Sequence, residues 1–364
     1  DDGGSFLDTL GPSGSFRFGL FERDRTFSSE RGILTGSAWL TLRPEEIAGT
    51  KFFFEGYGYG QNFARTTRFA GDVREAYAER SFGALDVRVG RQLQFWGRAD
   101  KINPTDTLTV RDQTLLVTDD EDARLGLFAV QTTLNVGDFR WSLVWQPEFR
   151  KPVFPIGILP ANVRLTHEDP SGAAAQFATK LDRSGGTVDW SLSYFTGFDK
   201  LPDFAVRGAD AAGIDLALMH RRVHVLGADM AFNAAGTGFR GEASYTITED
   251  SGGTDPFVKN RNLFVVLGAD RNFWSDFNLN VQGLVRYTEG FVPLSAIADP
   301  NARAVAAQAY PIWNQTQPWL FGASARLSHK AFHETLESEL AAVVWFGRGD
   351  FLLRPKVTYA VSDT

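Results

Sequence analysis

The stretch "GRQLQFWGRADKINPTDTL", residues 90–108, begins as a β-strand and then abandons the pattern. Up to Trp96 it is rich in residues that suit a pleated surface. After Gly97 it becomes charged and turn-forming, with Asn103-Pro104 as a break. A strand that delivers the chain into a long polar excursion is the key to the architecture, because the same device recurs along the sequence.

Short alternating segments separated by turn residues run from end to end, and about sixteen can be counted. They fall near residues 15–23, 34–43, 51–60, 73–82, 85–96, 124–134, 139–147 and 174–182. The series continues at 187–196, 223–232, 238–248, 260–270, 276–288, 319–329, 335–346 and 351–361. The clearest alternation sets Phe277, Leu279, Val281, Val285 and Tyr287 against Asn278, Asn280, Gln282, Arg286 and Thr288. Phe139, Trp141, Leu143 and Trp145 oppose Arg140, Ser142 and Gln146 in the same way. One face is apolar, and the other is too charged for a packed core.

The connections alternate too. After even-numbered segments they are short, as at 44–49, 81–84, 135–138, 183–186, 233–237, 271–275 and 330–334. After odd-numbered ones they are long, at 97–123, 148–173, 197–222 and 289–318, with 347–349 as a tight exception. Short turns on one rim and long loops on the other, with an outward apolar band, are the signature of a membrane barrel. Hydrocarbon cannot satisfy backbone N–H and C=O groups, so strands there close into a ring. The expected fold class is all-β: a transmembrane antiparallel up-and-down β-barrel of about 16 strands, with residues 1–364 forming one barrel. Phe95 and Trp96 are expected near the lipid headgroups, and 100–123 outside the cell or folded into the lumen. A soluble β-sandwich or solenoid would also show many short strands, but explains neither the unequal rims nor the charged faces.

Composition narrows the function classes. No apolar run approaches the roughly 18 residues of a spanning helix. The absence of Cys removes disulfides, thiolate metal sites and a cysteine nucleophile. A net charge of −7 with scattered basic residues leaves no footprint for nucleic acid. The sequence opens at Asp1 without a charged-then-apolar leader, so any secretory signal is expected to be absent from this numbering.

Alternation assigns Arg17, Arg88, Gln92, Arg140, Lys180, Arg240, Glu242, Gln282, Arg286, Arg326, Arg354 and Lys356 to the lumen lining. Asp189 belongs to the same set, with Glu337 and Glu339 close by. Basic residues outnumber acidic ones, which predicts a mild anion preference through focused fields, offset in part by Glu75 and Glu79. No catalytic residues, cofactor or metal are expected. The H-E-x-x-H and G-x-S-x-G patterns are absent around His167, His220, His224, His329 and His333 and elsewhere. Asp119, Asp120 and Asp122 offer carboxylate oxygens to calcium, but without the D-x-[DN]-x-[DN]-G spacing a solvated acidic loop is the favoured reading. Alternating Gly and Tyr at 56–60 shapes a strand rather than an ion filter. Residues 299–308 read as a loop helix, with Asp299 as N-cap and Pro300 in the first helical position.

With "VRVGRQLQFWGRADKINPTD" at 87–106, the sequence resembles a porin-like family of proteobacterial outer-membrane barrels in which a "GRQ…WG" strand precedes an "NP-D" loop. It is similar to the alginate-export porins in its "VGRQ" strand and arginine-rich lumen. Those porins are typically eighteen-stranded. The chain here stops at 360–364 in what reads as a turn, without a terminal aromatic, so 18 strands are expected if a C-terminal hairpin is missing. The resemblance implies an outer-membrane barrel more than any substrate; with the basic lining, the leading reading is an outer-membrane channel, porin or exporter, for a hydrophilic, anionic solute. Its surroundings would be the lipid bilayer and lipopolysaccharide, with an envelope protein or further copies of the chain as candidate partners. The alternatives are a plugged, non-conducting barrel serving as a scaffold, a barrel lipase, and a transporter of apolar molecules.

Overall fold

The structure is a computed structural model that describes residues 9–21, 32–61, 68–117, 119–154, 163–170, 174–210, 213–250, 252–274, 276–333 and 335–359. The first five strands are β1 (Pro12–Phe21), β2 (Ile33–Leu42), β3 (Thr50–Gln61), β4 (Arg68–Phe82) and β5 (Leu85–Gln92). Two short strands follow, β6 (Val110–Arg111) and β7 (Arg124–Leu125). Next come β8 (Leu127–Val136), β9 (Phe139–Gln146), β10 (Val163–His167), β11 (Gln176–Arg183) and β12 (Val188–Phe198). β13 (Asp203–Asp210), β14 (Gly213–Met219), β15 (Arg222–Ala234), β16 (Thr237–Ile247), β17 (Asn262–Phe273) and β18 (Phe277–Thr288) lead to helix α1 (Pro300–Trp313). The last strands are β19 (Trp319–Ala331), β20 (Leu336–Trp345) and β21 (Asp350–Tyr359).

Sixteen strands form one sheet in the order β1-β2-β3-β4-β5-β8-β9-β11-β12-β15-β16-β17-β18-β19-β20-β21, every neighbouring pair antiparallel. These are the sixteen segments expected from alternation. Tight turns join many of them, and Ala235-Gly236, both at positive φ, show the left-handed geometry that matches the twist of a two-residue hairpin.

The sheet is inside out relative to a soluble protein. On β9, Trp141, Leu143 and Trp145 are exposed, whereas Ser142, Val144 and Gln146 are buried. The same inversion exposes Leu226 and Met230 on β15 while Asp229 is buried, and exposes Val281 on β18 while Asn280 and Gln282 are buried. A contiguous apolar belt of this size would be a large liability in water and is the expected surface in lipid.

The sheet also curls. Asp120 pairs with Arg354 on β21 at 2.6 Å, and Asp122 pairs with Arg17 on β1. Sixteen strands laid flat would put the first and last roughly 70 Å apart. Three residues span at most about 11 Å, so a run that reaches both edges requires the sheet to wrap around it.

Outside the main sheet, β10, β14 and β13 form a small mixed sheet with β10 parallel to β14. It is built from the connections 147–175 and 199–221, which sequence alternation left as loops. Helix α1 lies in the connection after β18. It begins at the expected cap, with the Asp299 side chain accepting from Asn301 N–H, and runs on to Trp313 before Asn314 ends it in the left-handed region.

Candidate functional site

The site is built by the stretch that follows β5. Gln92 is buried and donates to the Ala129 carbonyl at 2.9 Å, and Gln94 donates to Gln92 and Gln131. The chain then leaves the wall and packs on the inner face. Trp96 is buried in a cluster with Leu108, Ala129, Val144, Ala178, Phe195, Val223 and Val225. This corrects the expectation that Phe95 and Trp96 sit at the lipid headgroups. Trp96 turns inward because the strand ends at Gln92 and the inner wall offers an apolar patch, and Phe95 lies under the Arg124 guanidinium at 4.3 Å.

Glu242 on β16 fixes the turn that follows. Its carboxylate accepts from the backbone N–H groups of Arg98 (3.0 Å), Ala99 (3.0 Å) and Thr105 (2.7 Å). Asn103 Nδ2 (3.2 Å) and the Thr105 hydroxyl (2.8 Å) complete the set. The charged side chains of the same turn reach other strands. Arg98 meets Asp229 on β15 at 2.5 Å and Asp182 on β11 at 3.3 Å, a group that Lys180 joins at 3.0 Å from Asp182. Asp189 stands 4.0 Å from Arg98. At the tip, Asp100 pairs with Arg326 on β19 (2.6 Å), and Lys101 pairs with Glu339 on β20 (2.9 Å). Gln282 meets the Asp100 backbone with its amide turned to accept from N–H (2.6 Å) and donate to C=O (3.2 Å).

Further along, Asp106 is buried beside the Thr109 hydroxyl (2.6 Å), and burial pushes its carboxyl up to about 6. The acidic run turns away from any common centre. Asp119 pairs with Lys356, Asp120 with Arg354, and Asp122 with Arg17 and Arg74. Its carboxylates therefore meet basic side chains rather than forming a calcium cage. Among the described residues no group of three or more His, Asp or Glu could hold a metal ion.

The remaining lining candidates divide by partner. Arg88 pairs with Glu79 at 2.5 Å and Arg240 with Asp270 at 3.2 Å. Arg140 reaches Asn135 Oδ1 at 3.3 Å, while Arg286 donates to Asn262 Oδ1 at 2.7 Å and lies over Phe264. Two polar cavities remain beside the crossing segment. One, of about 620 Å³, includes Arg88, Arg98, Arg140, Lys180 and Asp182 in its wall. The other, of about 740 Å³, includes Arg17, Arg74, Asp120, Glu339 and Arg354. Phe95 borders both.

Sequence reasoning missed one contact outside the barrel. His167 Nε2 and His220 Nε2 lie 2.7 Å apart, and His220 Nδ1 faces the Asp199 carbonyl at 2.7 Å. Nδ1 of His220 must therefore carry the proton, and its Nε2 accepts from His167.

A porin refined at 1.8 Å resolution superposes on the chain with a TM-score of 0.50, at 10% identity, over 96% of this chain and 99% of that one. The fold is that of a porin. OmpF of Salmonella typhi, solved in complex with daunomycin, aligns at TM-score 0.47 and 8% identity over 93% of this chain and 91% of that one. OprB of Pseudomonas putida aligns at 0.47 and 13% over 93% and 90%. No protein-family model matches the chain, and no curated protein matches it.

Proposed function

We propose that this protein is an outer-membrane channel that passes a small hydrophilic solute across the bilayer. The observation that carries the reading is the inverted sheet. Its apolar side chains face outward as a lipid-facing band requires, and its polar side encloses cavities of about 620 and 740 Å³. The porin fold supports the same conclusion. No step of chemistry is needed: the protein supplies a wetted path, and segment 97–123 with the lining candidates other than the buried Gln92, Glu242 and Gln282 sets its width and charge.

The solute is anionic in this reading, and the preference is slight. Most of the basic lining residues are neutralised by a carboxylate. Arg140 and Arg286 have no carboxylate at ion-pair distance among the described residues, and they supply the excess positive field. The test is single-channel recording of the purified protein in a planar bilayer under a salt gradient. A stable conductance whose reversal potential reports anion preference is expected; cation preference would overturn the charge assignment.

A second reading has its own support. Segment 97–123 is tied to β11, β15, β16, β19, β20, β21 and β1, which suits a plugged barrel acting as a scaffold for an envelope partner. A folded, heat-modifiable protein that carries no current would establish that reading instead.

A further inference from the structure

We propose that Glu242 is the positioning residue of the channel: its carboxylate is the template on which residues 97–105 fold across the lumen, and it thereby sets the aperture without touching the solute. The aperture half of this inference rests on the channel reading above. The template half does not.

Glu242 is 2% exposed, and among the described residues no Lys, Arg or His stands at ion-pair distance from it. A buried carboxylate without a counter-cation is costly unless donors converge on it. All five of its hydrogen-bond donors come from residues 98–105, about 140 positions earlier in the chain. The dependence is mutual. Without the crossing segment the carboxylate would lose every one of these donors and face the lumen as a bare negative charge. Without the carboxylate, the N–H groups of Arg98, Ala99 and Thr105 would lose their acceptor.

The residue types in the crossing turn follow from this one acceptor. Gly97 has φ +117°, and a Cβ there would come within 2.8 Å of Glu242 Oε1. Asn103 donates both to Glu242 and to the Ala99 carbonyl (2.8 Å), which closes the turn. Thr105 uses its N–H and its hydroxyl on the same oxygen. The Arg98 pair with Asp229 is largely buried and ties the same turn to a second point on the wall, whereas the pairs of Asp100 and Lys101 are more exposed and partly screened by salt, so they steer the tip while Glu242 holds the backbone of the turn.

The absence of native cysteine makes the test clean. Leu108 is 1% exposed and packs beneath the same segment beside Trp96, so a Leu108→Cys probe reacts with a membrane-impermeant maleimide only when the segment lifts. Labelling rates and single-channel steps are compared in the otherwise native chain and with Glu242→Ala, Glu242→Gln and the gentler Thr105→Val added. Loss of several charge-assisted hydrogen bonds should speed labelling by more than about tenfold in Glu242→Ala. Glu242→Gln and then Thr105→Val should show smaller increases, with larger and noisier conductance steps and a retained heat-modifiable barrel. Unchanged labelling in both Glu242 variants overturns the template role. Faster labelling with an unchanged conductance step overturns the aperture role. Faster labelling in a protein that conducts in neither form supports the template and overturns the channel reading instead.

Discussion

Two long connections leave this sheet and are held by opposite means. Segment 97–123 crosses the inner face, where the wall presents Glu242, Asp229, Arg326 and Gln282, and a network of hydrogen bonds and ion pairs along its length joins small, separate apolar contacts at Leu108, Val110 and Ile102. The connection 289–318 stands outside the sheet and builds its own small core. Ile297, Ala302, Ala306, Ala309, Tyr310 and Trp313 are buried together there, with Phe204 of β13 packed against them. The environment explains the difference. A barrel that turns most of its large apolar residues to lipid leaves scattered apolar patches in a mostly polar inner wall, so a loop there is fixed by polar contacts between them, whereas the outer connection uses ordinary hydrophobic cohesion.

The largest effect should come from breaking the outer connection at its centre. Trp313 is 2% exposed, donates to the Pro202 carbonyl (3.0 Å) and lies beneath the Lys259 ammonium. Trp313→Ala should cost about 3–5 kcal/mol of local stability. Hydrogen exchange would show it as lost protection over 300–313 and 203–210, with the barrel strands unchanged.

Next comes the inner segment's acidic run. Replacing Asp119, Asp120 and Asp122 together by Asn removes the pairs that join one segment to both edge strands. A loss of about 1–3 kcal/mol is expected, discounted for partial exposure. The temperature of the heat-modifiable transition should fall, and its dependence on salt between dilute and molar buffer should flatten. The Trp313 variant should keep the native salt dependence, which sharpens the contrast between the two connections.

A pH effect is expected in the outer layer at the histidine pair. Burial pushes the His220 imidazole down to about 4 from an ordinary 6.5, so the folded state holds the ring neutral. A released ring protonates first as the solution is acidified. The stabilisation from this group is therefore complete above about 6.5 and is lost as the pH falls towards about 4. Groups that act on the histidine pair are Lys151 and Asp169 at His167, and Asp199 and Lys259 at His220. Exchange at 163–167 and 213–219 should quicken over that window, and His220→Gln should remove most of the dependence.

The smallest effect belongs to the exposed tether at the tip. Lys101→Met breaks the pair with Glu339 and should change stability by less than about 1 kcal/mol, visible only as added open-channel noise.

The sheet was legible in the sequence because a membrane wall writes period-two alternation across every strand, as in Phe139 to Gln146. The extra sheet was not. β10 pairs with β14 some fifty residues away, and "GIDLALM" in β14 does not alternate cleanly. The lining candidates could be placed on a face by parity, but their partners could not. Glu242 and Thr105 are 137 residues apart, and nothing local distinguishes Glu242 from an ordinary wetted glutamate. Trp96 went wrong for a related reason: parity extended the strand past Gln92, whereas the chain had already turned towards its distant anchor.

The central claim is that a porin wall is narrowed by an inward segment that the wall itself holds. It is tested most directly by single-channel conductance of the native chain beside a variant in which residues 98–122 are replaced by a short Gly/Ser turn. A stable native step that grows several-fold on shortening is the expected result. No current from the folded native protein, or an equal step from both, would contradict it.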